Sequence, residues 1–168
     1  MILTFNRLRV IINSLKERND MAIKQIMTLE EILEHIEKTL TINFDELGRE
    51  SVRQVHIFSE LQKLHMWNTR RLESLMIQQN QVKMARIRHY TGKMPAEHYK
   101  TDPLREAVLK TDLDIYMKID KQVLEMSGLV NEQERIVKAI EEAKATLRDR
   151  GYNIKNAIEF QRMITLGT

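Results

Sequence analysis

This sequence reads as an all-α protein, and three observations make it so. Only five Gly and two Pro punctuate 168 residues, which leaves little material for tight hairpins. Leu, Ile, Met, Lys, Arg, Glu and Gln are abundant, and most of these lose little side-chain freedom in a helix. Apolar positions recur mainly three and four residues apart rather than in alternation. The length suits one domain, although 30% charged and 5% aromatic residues are unusual for a lone globule.

In residues 1–26, Leu8, Ile11, Ile12 and Leu15 fall at helical spacing before a polar Lys-Glu-Arg-Asn-Asp run. They predict a short amphipathic helix, read as an N-terminal extension because Met21 and Met27 each offer another start. Thr28 followed by Glu31 forms a capping box, and Leu29, Ile32, Leu33, Ile36 and Leu40 then predict a helix of about 13 residues. "TINFDELG" reads as a turn with Gly48 as the break. From Arg49 to Tyr90 neither Pro nor Gly occurs, and Leu61, Leu64, Leu72, Leu75, Met76 and Ile87 mark an imperfect helical stripe. A continuous helix there would span roughly 60 Å at 1.5 Å per residue, longer than a small globule needs for itself.

Thr91-Gly92 ends that rod, and "KMPAEHYKTDP" is the longest loop. In "LREAVLKTDLDIYMKIDKQVLEM" the alternation of Leu113, Ile115, Met117 and Ile119 favours a strand locally, but no partner strand is visible and helix is expected. Gly128 marks a candidate kink. Ile136, Ile140, Ala143 and Leu147 follow a 4-3-4 spacing, closed by "LRDRG" with Gly151 as its C-terminal cap. The organisation is therefore an extension over 1–26, a helical core over 27–150 and an apolar terminal segment over 151–168. In that last segment Ile154, Ile158, Phe160 and Ile164 leave little polar face. So short a helix is marginal in water and must be buried by its own chain or by a neighbouring subunit.

Charge is distributed unevenly. Between Arg49 and Lys93 nine basic residues face three acidic ones, a net of +6, whereas Thr28 to Lys38 carries four Glu against one Lys. A basic middle points to a polyanion partner. No acidic residue lies between Ser74 and Ala96. On a helix Lys83, Arg86 and Tyr90 share one face, with Arg70 and Arg71 further up the rod. Lys83, Arg86, Arg88 and Lys93 are the candidate phosphate contacts, and His89 and Tyr90 are candidates for stacking on an unpaired base. The plainer reading is a solvated helix face with Tyr90 in the core. Likewise Trp67 and the ten Met read as core or interface filling, and Glu30, Glu34 and Glu37 as solvated surface.

Catalytic patterns are not found: there is no phosphate loop, no His-Glu-x-x-His and no nucleophile elbow. His35, His56, His65, His89 and His98 are scattered, and Asp112 and Asp114 read as solvated carboxylates. An enzyme, a cofactor and a metal site are not expected. With no Cys there is no disulfide framework. Asn6, Arg7 and Arg9 interrupt any signal core, and no run reaches the roughly 18–20 apolar residues of a membrane span. A cytoplasmic protein without a membrane partner is expected.

Several stretches together resemble the UvsY recombination mediators of T-even-like phages. "ARIRHYTGK" is similar to that family's basic Arg-x-aromatic-Tyr-(Ser/Thr)-Gly segment, and "LKTDLDIYMKID" to its Leu-x-x-Asp-x-x-hydrophobic-x-Lys segment. "LRDRGYNIKNAIEFQRMITLG" is similar to its C-terminal block, and "MTLEEILEHIEKTL" to its beginning. The resemblance runs from Met27 onward. It departs where the family has Lys two positions before the Arg: Met84 stands there, with Lys83 beside it and Arg88 in addition. The resemblance implies a helical, non-enzymatic phage protein of the host cytoplasm that forms a ring-like homo-oligomer of six or seven subunits. It implies single-stranded DNA binding through residues 83–93 and loading of a RecA-like recombinase onto strands covered by single-strand-binding protein. By the same resemblance the C-terminal segment assembles the ring. The alternative is a helical scaffold or adaptor whose basic patch meets an acidic protein.

Overall fold

The computed structural model describes residues 27–104 and 108–166. The helix expected within residues 1–26 lies outside these.

The first helix, α1 (Leu29–Leu40), begins where its local chemistry dictates. The Thr28 hydroxyl accepts from the Glu31 amide at 3.3 Å, and the Thr28 amide donates to the Glu31 carboxylate at 2.7 Å. That reciprocal cap satisfies two donors left over at a helix start. The turn after it forms one residue stretch earlier than the Gly48 break expected from sequence. Asn43 accepts from the Asp45 amide at 3.0 Å and starts a 3₁₀ turn over Phe44–Glu46. The second helix, α2 (Leu47–Tyr90), then opens with Gly48 inside its first turn. Its 44 residues extend about 66 Å.

The stop at Thr91-Gly92 has full backbone logic. Gly92 sits at φ 71°, the left-handed region open to glycine. The Lys93 amide donates to the Arg88 carbonyl at 2.8 Å and the Gly92 amide to the His89 carbonyl at 3.1 Å. This is the Schellman pairing. The following loop is not irregular throughout, because Ala96–Thr101 forms a short helix, α3. The alternating stretch is α4 (Leu113–Ile119), with Leu113 and Met117 turned partly inward and Ile115 and Ile119 exposed.

The last helix, α5 (Lys121–Leu166), has 46 residues and corrects one expectation. It contains Gly128 in its interior, and it does not cap at Gly151. The terminal segment is therefore its continuation rather than a separate helix. Gly151 serves packing instead: a Cβ there would lie 2.9 Å from the Gln54 amide nitrogen. A side chain at 151 would therefore have to displace the Gln54 carboxamide of α2, whereas no chain reversal occurs here.

Helices α2 and α5 run antiparallel for most of their length. The pairing is fixed by polar contacts in steady register. Gln54 donates to the Leu147 carbonyl at 3.2 Å, Gln133 donates to the Asn68 side chain at 2.9 Å, and Gln79 donates to Ser127 at 3.1 Å. Between them lies a thin apolar seam. Ile57, Leu61, Ala143 and Leu147 form one layer under Ile36 and Leu40, and Ile32, Ile136 and Ile140 form the next with Leu29 and Leu64. The 4-3-4 spacing in α5 thus marks its inner face, and α1 closes the seam from the third side. Removing such a buried side chain, as in Leu61→Ala, costs about 2–5 kcal/mol.

At this end the seam is locked by charge. The buried Arg150 guanidinium bonds the buried Glu50 carboxylate, and it donates to the Leu40 carbonyl at 2.9 Å and to Gln54 at 2.8 Å. One side chain thereby ties α1, α2 and α5 together. Beyond Ile154, which is buried within its own chain, α5 turns largely exposed: Ile158 is half-buried, and Phe160, Met163, Ile164 and Leu166 are exposed.

Candidate nucleic-acid interface

The phase of α2 decides what each cation can do. Its inner line runs through Ile57, Leu61, Leu64 and Gln79. Steps of three and four residues carry the same line on to Arg86 and Tyr90. The face shared by Lys83, Arg86 and Tyr90 is therefore the one turned toward α5.

Arg86 is 11% exposed and engaged on two sides. Its Nε donates to Asp120 at 2.6 Å, its Nη1 donates to Asp102 at 2.6 Å, and its guanidinium lies 5.0 Å from the Tyr90 ring centre. The Tyr90 hydroxyl donates to Asp120 at 2.7 Å, and Asp120 also accepts from the Val123 amide at 3.1 Å, capping α5. Burial by itself would lower the Arg86 pKa. The bonds to Tyr90, Asp102 and Asp120 and the Asp120 charge overcome it and raise the value. Burial likewise pushes the Asp120 carboxyl up, but hydrogen bonds from Tyr90, the Val123 amide and Arg86 hold it below its ordinary value. Burial and the Asp120 bond raise the Tyr90 hydroxyl. Arg86 and Tyr90 form a brace between α2 and the start of α5.

His89 is also interior, at 3% exposure, with its Nδ1 3.1 Å from His98 Nε2. Burial, then the Arg86 charge, lowers its pKa and favours the neutral ring. Lys83 is half-buried and donates to Gln79 at 3.1 Å. Arg71 is half-buried too, and burial lowers its pKa against the opposing pull of Glu132.

Arg70, Arg88 and Lys93 remain on the outside, exposed. Arg88 is two residues from Arg86, hence roughly 200° around the helix. Arg70 and Arg88 are 18 residues apart, about five whole turns, and so lie on one line some 27 Å long. Ile77 and Met84 sit between them, both exposed, and Lys63 extends the line one heptad upstream. Trp67, 61% exposed, stands beside it and is not core of this chain. Lys63, Ile77 and Trp67 were not singled out from sequence as site residues. The seven-residue spacing of Lys63, Arg70, Ile77 and Met84 is the signal that finds them. Glu73 is acidic along this outer face, and Glu60 lines the same pocket as Lys63 and Trp67.

Two long helices packed back to back, with cations along the outer side of one, define an elongated helical-hairpin protein. The same architecture occurs in crystal structures of the bacteriophage T4 recombination mediator protein UvsY. One, in lattice type II, superposes with a TM-score of 0.73 at 19% identity, covering 83% of this chain and 98% of that one. Another, in lattice type IV, gives 0.68 at 20% identity, covering 84% and 100%. Residues 35–167 match the family described as "Recombination, repair and ssDNA binding protein UvsY". The chain belongs to the UvsY family, a family of recombination and repair proteins that bind single-stranded DNA. A comparison with curated proteins gave no match. Among the described residues no helix is long and apolar enough to cross a membrane.

Proposed function

We propose that this chain is a recombination mediator that holds single-stranded DNA along the outer face of α2. The observation that carries the reading is the line from Arg70 to Arg88, both exposed and, among the described residues, in no ion pair. Arg88, Lys93, Arg70 and Lys63 neutralise phosphates, while Ile77, Met84 and Trp67 offer apolar and aromatic surface to unstacked bases. Arg86, His89 and Tyr90 support that face from within by holding the end of α2 in place. Lys83 and Arg71 flank it.

Three or four phosphate contacts bind weakly alone. The exposed Phe160 and Ile164, with Ile158, assemble subunits into a ring of six or seven, whereas the buried Ile154 secures the arm to its own subunit. Several copies of the cationic line gripping one strand raise avidity by about 10²–10⁴. A strand held extended in this way is available to a RecA-like recombinase as single-strand-binding protein leaves it. The work takes place in the host cytoplasm.

Anisotropy titration with oligo-dT at several salt concentrations tests this. The log–log slope should be steep, about −0.7 per phosphate neutralised. Arg88→Ala with Lys93→Ala should lower affinity and flatten the slope by roughly 1.4 per subunit engaged. DNA should quench the single Trp, at position 67. A weak, salt-insensitive response would favour an adaptor for an acidic protein instead.

A further inference from the structure

We propose that His89, His98 and Asp102 form a site for one divalent transition metal of the zinc type, which clips α3 to the end of α2. The inference is independent of the DNA reading. It starts from an unusual juxtaposition of three ligand-type atoms from two separate elements. His89 Nδ1 lies 3.1 Å from His98 Nε2, and Asp102 Oδ2 lies 3.7 Å from the first and 3.9 Å from the second. Metal–ligand bonds of about 2.0–2.2 Å in a tetrahedron place ligand atoms roughly 3.3–3.6 Å apart. The three separations bracket that value, so a few tenths of an ångström of adjustment closes the site.

The surroundings favour a cation. Arg86 contributes one positive charge, and Asp102 and Asp120 contribute two negative ones, which leaves the cluster one negative charge in excess. Asp102 Oδ2 already accepts from Arg86, and a carboxylate oxygen has a second lone pair with which to meet an ion. Arg86 then orients the ligating carboxylate from outside, as hydrogen-bond donors around metal sites do. Exposure rises from His89 at 3% through His98 at 15% to Asp102 at 41%, so the ion enters from the Asp102 side and completes its shell with water. The frame is set beforehand. The Tyr99 hydroxyl donates to the His89 carbonyl at 2.9 Å and accepts from the Met94 amide at 3.2 Å, fixing α3 against the Schellman end of α2.

Without metal, one ring donates its N–H to the other. Coordination by both requires that ring to carry its proton on its opposite nitrogen, after which both lone pairs face the ion.

The test is titration of the chelator-stripped full chain with Co²⁺, followed by displacement with Zn²⁺. One equivalent should bind per chain with the intense visible absorption of four-coordinate cobalt, and Zn²⁺ should abolish the colour. Because losing even an outer-shell partner costs about 10–100-fold in affinity, His98→Ala should lose about 100-fold or more. His56→Ala, on the far part of α2, should bind normally. If His98→Ala loses helical signal by circular dichroism, Asp102→Asn, at a half-exposed position, reads the same loss. Absence of saturable colour up to millimolar Co²⁺, or unchanged binding in these variants, would overturn the proposal and leave the contact as a hydrogen bond between two rings.

Discussion

The hairpin is braced at both ends by a buried arginine, and the two braces differ in kind. Arg150 meets Glu50 and the ends of α1 and α2, with both partners buried. Arg86 meets Asp120, at 3% exposure, on one side and Asp102, at 41%, on the other. The first brace is closed on all sides and locks three helices. The second is closed toward α5 and open toward solvent, and the outward Arg88 and Lys93 lie beside it. Removing a partner from a closed charge pair strands the other charge; removing one from an open pair lets water in.

Arg150→Met tests that difference most severely. It leaves Glu50 buried, aided among the described residues by Arg53 alone, and should cost about 3–5 kcal/mol in urea unfolding. Pairing it with Glu50→Leu should recover a good part of the loss. Arg86→Met should cost less, about 2–3 kcal/mol, since Asp102 resolvates while Asp120 keeps Tyr90 and the Val123 amide. A larger loss for Arg86→Met than for Arg150→Met would reverse the ranking.

Acid sharpens the contrast further. Asp120 is held below its ordinary carboxylate value, so its contribution is fully present above about pH 4 and fades as pH falls through the lower folded value. Urea midpoints should drop between pH 5 and pH 2.5, and Asp120→Asn should show a shallower drop. The smallest effect concerns two glycines of α5. Gly128 has open space around its missing Cβ, and Gly128→Ala should stabilise by about 0.5–1 kcal/mol. Gly151→Ala should gain nothing, because its methyl displaces a Gln54 side chain bonded at both ends.

What the sequence made legible was local. The Thr28–Glu31 box, the Thr91-Gly92 stop and the Ile136–Ile140–Ala143–Leu147 stripe are settled by neighbours within a few residues, and each stands where periodicity and capping put it. Gly151 was not legible as a packing residue, because Gln54 is nearly a hundred positions away in the chain. The inward engagement of Arg86 was not legible for the same reason: its carboxylates lie 16 and 34 positions downstream. Periodicity shows that Lys83, Arg86 and Tyr90 share a side. It does not say which side is inner, since α2 also exposes Val52, Val55, Ile77 and Met84. The His89–His98–Asp102 grouping stayed hidden because a loop folds back to make it.

Five whole helical turns between Arg70 and Arg88 impose a rule on how this protein can change. Substitution within that interval alters local chemistry, but inserting or deleting a single residue would swing one cation about 100° around the rod relative to the other. One of the two would then be carried off the outer line, and the polar register with α5 would slip with it. The interval is thus held to a length more strictly than to a composition, and only changes near a heptad would preserve its geometry.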